Sequence, residues 1–145
     1  MPRLLVATAL LLLGALSAAA ADALKYSSFH GGCASIDFDT VVQSISEART
    51  CAESAEIHRI CSDSKAFGLR RPFANALEER CTKDFEGRLA ASEQKYFDRV
   101  LEKCGQGLET PDGRTTVTAV AVDALCRANA AVARSKRYWR ETPFE

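Results

Sequence analysis

The sequence predicts an all-α fold, a small disulfide-stapled helical bundle or hairpin of about four helices, and three observations predict it. Six cysteines, Cys33, Cys51, Cys61, Cys81, Cys104 and Cys126, all follow an apolar N-terminal segment. Apolar residues recur every three or four positions through most of the chain beyond it. Proline, glycine and Ser/Thr/Asp clusters stand where such helices would begin and end.

The N-terminus has one basic residue, Arg3, then an apolar run from Leu4 to Leu16 broken only by Thr8 and Gly14. Small residues from Ser17 to Ala21 precede Asp22. That order is the order of a secretory signal, with Ala19-Ala20-Ala21 as the expected cleavage tripeptide. The alternative, an uncleaved anchor, needs about 20 apolar residues, and this run has 13. Residues 1–21 are therefore expected to leave as a signal peptide, and 22–145 to form one helical disulfide-rich domain of 124 residues. Its net charge is −1, which argues against nucleic acid, where a basic excess would be expected. An even cysteine count in an exported chain of this size implies three disulfides and an oxidising compartment, periplasmic or extracellular.

Residues 22–35 carry little periodicity and read as an irregular lead-in. Asp39 or Thr40 can cap a first helix with Val41, Val42, Ile45 and Ala48 on one side. A second helical stretch spans Ser54 to Ile60. Pro72 suits a first turn, and from there Phe73, Leu77, Cys81, Phe85 and Leu89 recur every four residues; Phe97, Val100, Leu101 and Cys104 continue the stripe. Gly87 is the point at which this long helix could bend or split. Gly105 stands as a helix-terminating glycine, and Thr110-Pro111-Asp112-Gly113 reads as a turn. Thr115 to Val122 is rich in β-branched residues and suits a short strand near 115–122, yet it leads directly into a helix from Asp123 to Tyr138. That helix is expected to carry Leu125, Cys126, Asn129, Val132 and Ala133 on one side.

Candidate chemistry is sparse. The two histidines each precede a cysteine by three positions, in His30-Gly31-Gly32-Cys33 and His58-Arg59-Ile60-Cys61, and two His with two Cys would suit tetrahedral zinc. Pairing all six cysteines leaves no thiolates for such a site, so no metal or other cofactor is expected. There is no CxxCH haem-attachment sequence and no CxxC pair. Asp37 with Asp39, or Glu78 with Glu79, are the carboxylate pairs available, and both suit solvated helix surfaces; no catalytic residue is assigned. The densest basic and aromatic patch is Arg134, Lys136, Arg137, Tyr138, Trp139 and Arg140. Cations there would complement a helix C-terminus, or the patch could enter an acidic cleft.

Several spacings together resemble the lysozyme-inhibitor family of the LprI type, small exported domains. They are Cys51, then Glu56 before Ile60-Cys61-Ser62-Asp63; Gln94 with Phe97 three residues on; Cys104-Gly105; and Cys126 followed by Arg134. The resemblance covers Cys51 to Arg134. Phe97 stands where the family usually has tryptophan, Leu101 where arginine is common, and Cys33 and Cys81 have no counterpart. The segment from Gln106 to Leu125 is longer than the pattern. No lipid-attachment sequence precedes the first cysteine, so the cleaved chain is expected to be free of a lipid anchor and of any integral membrane segment. The resemblance implies that Cys51 joins Cys61 and Cys104 joins Cys126, which leaves Cys33 for Cys81. If Phe73 to Cys104 were one helix, Cys81 and Cys104 would lie about 34 Å apart along its axis, far beyond the roughly 7 Å a disulfide spans.

The resemblance further implies a binding protein rather than an enzyme, an inhibitor of a lysozyme or similar cell-wall hydrolase. Glycosidase sites hold paired carboxylates, so Arg134, Arg137, Trp139 and Arg140 are the expected contact residues. The competing expectation is a structural or stress-related envelope protein with another macromolecular partner and no inhibitory activity.

Overall fold

Asp37, rather than Asp39 or Thr40, opens the first helix in the computed structural model, whose described residues are 29, 32–33, 35–62, 71–106 and 116–142. Its carboxylate accepts the Thr40 N–H at 2.9 Å, and α1 (Phe38–Ser46) follows with Val41 and Ile45 turned fully inward. Phe29 and Cys33, in the lead-in, are buried against the same core. The expected signal segment, residues 1–21, lies outside the described residues.

The next helix, α2 (Cys51–Ser62), is longer than the periodicity indicated because its start is capped. The Thr50 hydroxyl accepts the Glu53 N–H at 3.1 Å, while the Glu53 carboxylate accepts the Arg49 N–H at 3.0 Å. Its inward face holds Cys51, Ser54, Ile57, His58 and Cys61. Ser54 is polar and wholly buried, and it is satisfied by donating to the Ile45 carbonyl at 2.8 Å. That bond locks α2 onto α1.

The stripe from Phe73 to Cys104 is divided between two helices, α3 (Arg71–Thr82) and α4 (Ala91–Cys104). Gly87 marks the break with a φ of 69°, a left-handed backbone that a residue with a Cβ resists. Phe85, in the connecting turn, meets Phe97 edge-on with ring centroids 5.1 Å apart. The reversal therefore closes on its own aromatic pair, and the apolar residues on both sides of it still point into one core.

The last helix, α5 (Val117–Glu141), corrects the strand expected near 115–122. The Thr116 hydroxyl accepts the Ala119 N–H at 3.0 Å, which starts a helix there. Valine and threonine cost a helix only a few tenths of a kcal/mol each, less than a good cap and an alanine-rich continuation return. The face also differs from the expected one. Ala124, Ala128, Ala131 and Ser135 are buried, whereas Leu125, Cys126, Asn129 and Ala133 are exposed and Val132 is half-buried. Small side chains at this spacing let α5 lie close along α3, which a search for large apolar residues overlooks. Glu78–Arg127 and Asp84–Ser135 contacts show α3 and α5 running in the same direction. Glu93–Arg134 contact and the Cys104–Cys126 bond show α4 running opposite to α5.

All six cysteines are paired: Cys33 with Cys61, Cys51 with Cys81, and Cys104 with Cys126. The third bond matches the pairing the resemblance implied, and the first two replace Cys51–Cys61 and Cys33–Cys81. Cys51 and Cys61 share α2 at ten positions apart, about 15 Å along the axis, so they cannot meet. Each instead ties α2 to a different element, the lead-in and α3. The Cys33–Cys61 bond also occupies both cysteines of the candidate zinc set; His30 lies outside the described residues. The result is an all-α, disulfide-stapled fold of five helices among the described residues, none long and apolar enough to cross a membrane.

Candidate functional site

The first turn of α2, the turn after α3 and the C-terminal end of α5 enclose an open groove of about 780 Å3. Thr50, Cys51 and Ala52 form one wall, Ser135, Lys136, Trp139 and Arg140 the other, and Asp84 the floor. A shallower hollow on Arg49, Thr50, Ala52, Glu53 and Glu56 shares Thr50 and Ala52 with it, so the concave surface continues across the start of α2.

Asp84 is the organising residue. It is buried, and its Oδ1 accepts from Arg80 Nη1 at 2.9 Å. Its Oδ2 accepts from the Ser135 hydroxyl at 2.5 Å and from Trp139 Nε1 at 3.1 Å. Burial alone would push the carboxyl pKa up, but the hydrogen bonds from Ser135, Arg80 and Trp139 and the Arg80 charge outweigh it, and the pKa sits below the usual carboxylate value. Arg80 in turn donates to the Ala48 carbonyl at 2.5 Å and to the Arg49 carbonyl. One buried ion pair thus joins the α1–α2 link, the end of α3 and the last turns of α5. Ser135 donates to a carboxylate whose basicity is already reduced, so this cluster acts as a lock on the groove rather than as an activated nucleophile.

The residues expected at the binding surface separate into two groups. Arg134 is buried; its Nη2 bonds Glu93 Oε1 at 2.7 Å and its Nη1 lies 4.0 Å from Glu141. That bond from Arg134 is the main cause that holds the Glu93 pKa below its ordinary value. Arg137 pairs with Glu141 at 2.6 Å. Arg134 is therefore committed to the scaffold, whereas Arg137 keeps an exposed guanidinium paired along its own helix. Trp139 and Arg140 do line the groove, and Trp139 is 48% exposed while its Nε1–H is tied down to Asp84. Lys136, one turn before Arg140, joins them. Neither Lys136 nor Arg140 has an ion-pair partner among the described residues.

The other sequence candidates are absorbed by structure. Asp37 is the cap of α1. Glu78 takes a two-point bond from Arg127 at 2.8 and 3.1 Å, and Glu79 pairs with Lys83 at 3.0 Å. No group of three or more His, Cys, Asp or Glu side chains among the described residues is placed to hold a metal. Sequence reasoning missed Asp84 and Ser135, which stand 51 positions apart, and also the Thr50–Ala52 wall. Only the four-residue spacing of Arg80 and Asp84 was open to inspection, because a continuous helix would set the two on one face; α3 ends at Thr82, and the pair forms across the turn that follows.

The arrangement offers a rigid half-exposed indole, an apolar disulfide wall and two open cations. Comparison of the chain with family models, curated proteins and solved structures returns no match.

Proposed function

We propose that the chain is an exported binding protein that presents the Trp139 groove to a carboxylate-bearing cleft, and that its partner is a lysozyme-type cell-wall hydrolase. One observation carries the reading. Trp139 is half-exposed on a concave surface, yet its ring is fixed by a hydrogen bond to a buried carboxylate, with Lys136 and Arg140 open beside it. Exposed tryptophans with an immobilised ring are favoured contact residues, because little side-chain freedom remains to be lost on binding. The two cations complement the paired carboxylates of a glycosidase site, and the spacings shared with the LprI-type family point to the same class of partner. The N-terminal signal pattern and three disulfides support a periplasmic or extracellular location.

The reading is tested by a Lys136→Glu/Arg140→Glu variant. Both side chains are exposed and have no ion-pair partner among the described residues, so the fold is expected to survive unchanged by circular dichroism. Inhibition of cell-wall lysis should weaken at least tenfold, through lost attraction and added repulsion. Undiminished inhibition by that variant would move the interface elsewhere. Absence of inhibition by the unmodified chain would favour the envelope-protein alternative.

A further inference from the structure

The three disulfides differ in one respect that bears on chemistry. Cys33, Cys61, Cys51 and Cys81 are at most 2% exposed. Cys104 is 8% exposed, and Cys126 stands on the outer face of α5, open to solvent. Loop closure does not separate the bonds, because they span 28, 30 and 22 positions and the entropy of closure grows only with the logarithm of that length. Access does separate them: exchange requires a thiolate to reach a sulfur.

We infer that Cys104–Cys126 is a thiol–disulfide exchange site, attacked at the Sγ of Cys126 by an external dithiol, which works as a reversible release for the end of α4. The dithiol's thiolate bonds to Cys126 Sγ, and the S–S bond breaks. Cys104 leaves as a thiolate and takes a proton from water. The dithiol's second thiolate then displaces Cys126, which also takes a proton, so the protein gains two electrons and two protons while the dithiol becomes a disulfide. Among the described residues, the Glu93–Arg134 ion pair and the packing of Phe97 on Phe85 hold the first half of α4 independently of that bond. The last turn packs half-buried Leu101 against the core and is tied covalently to α5 by the bond. Release therefore loosens the end of α4.

The groove lies at the opposite end of α4's contact with α5, and none of its walls belongs to α4. Its own disulfide partner, Cys51, is bonded to wholly buried Cys81. Exchange at Cys126 leaves the groove in place. This inference stands on exposure and connectivity, and it holds whether or not the groove's partner is a hydrolase.

The test is a graded reduction of the folded, oxidised chain with dithiothreitol, followed by alkylation and peptide mapping. Cys104 and Cys126 should be labelled together at a reductant concentration at least tenfold below that which labels the other four. At that stage, hydrogen exchange should rise in Leu101–Cys104, while the emission of Trp139 stays at its oxidised wavelength. Labelling of Cys51, Cys81, Cys33 or Cys61 at the same concentration would overturn the selectivity. A shift of Trp139 emission at the two-thiol stage would overturn the confinement to α4. A Cys104→Ser/Cys126→Ser variant gives a second reading: a folded variant with unshifted Trp139 emission supports the release, and a chain that cannot fold contradicts it.

Discussion

Removing the Asp84 carboxylate by Asp84→Ala should be among the most damaging single substitutions on the groove side of the molecule. Asp84 and Arg80 are 8% and 12% exposed, so the pair is nearly dry. Losing one member of a buried pair costs about 3–5 kcal/mol, because the other charge is left uncompensated. Two further donors, the Ser135 hydroxyl and Trp139 Nε1–H, lose their acceptor as well. Arg80 keeps its bonds to the Ala48 and Arg49 carbonyls, which places the expected loss near the lower end, about 3 kcal/mol. With an m-value of about 1.5 kcal/mol/M, the urea midpoint should fall by about 2 M. Trp139 is the chain's one tryptophan, so its emission reports unfolding and, in the folded variant, the release of its own hydrogen bond. Asp84→Asn, which keeps an acceptor and loses the charge, should fall between the two. The pH dependence has a defined sign. Because the folded pKa of Asp84 lies below its ordinary value of 3.8, the stability it contributes is complete above that value and is lost as pH falls through the folded one. The wild type should therefore weaken below about pH 4 more steeply than Asp84→Ala. A midpoint shift under about 0.5 M, with unchanged emission, would refute the account of Asp84 as the lock.

Arg134→Ala should cost about 2–4 kcal/mol in chemical denaturation, since Arg134 is buried against Glu93, whereas Arg137→Ala should leave the denaturation midpoint essentially unchanged. Gly87→Ala forces a Cβ into a backbone with φ of 69° and should lower stability by about 1 kcal/mol, read as a fall in Tm of about 4 °C. Replacing the Cys51–Cys81 pair by serines should cost about 3.6 kcal/mol or more and abolish groove binding, because Cys51 lines the groove. N-terminal sequencing of the exported protein should begin within a few residues of Asp22; recovery of intact Met1 in a membrane fraction would contradict the signal reading.

Helix content was legible in the sequence because large apolar residues repeat strongly. Phe73, Leu77, Cys81, Phe85 and Phe97 all reached the core where their spacing put them. The split at Gly87 was legible as a weak point, but periodicity could not decide it, since a reversal with Phe85 packed on Phe97 preserves the apolar stripe on both sides. The alanine face of α5 was not legible, because close helix approach rewards small residues that hydrophobic pattern reading passes over. Disulfide pairing drawn from resemblance gave way to helix geometry once α2 proved long enough to separate Cys51 from Cys61. The basic cluster at the end of α5 was visible in sequence, but the pairing of Arg134 was not, because only the fold brings Glu93 to it.

The most direct test of the Trp139 groove as a hydrolase-binding surface is a turbidity assay of cell-wall lysis, run with lysozymes of several classes and the oxidised chain in molar excess. Lysis should slow with the wild type and proceed at least tenfold less inhibited with Lys136→Glu/Arg140→Glu. Full lysis by every lysozyme in the presence of folded wild-type chain would contradict it.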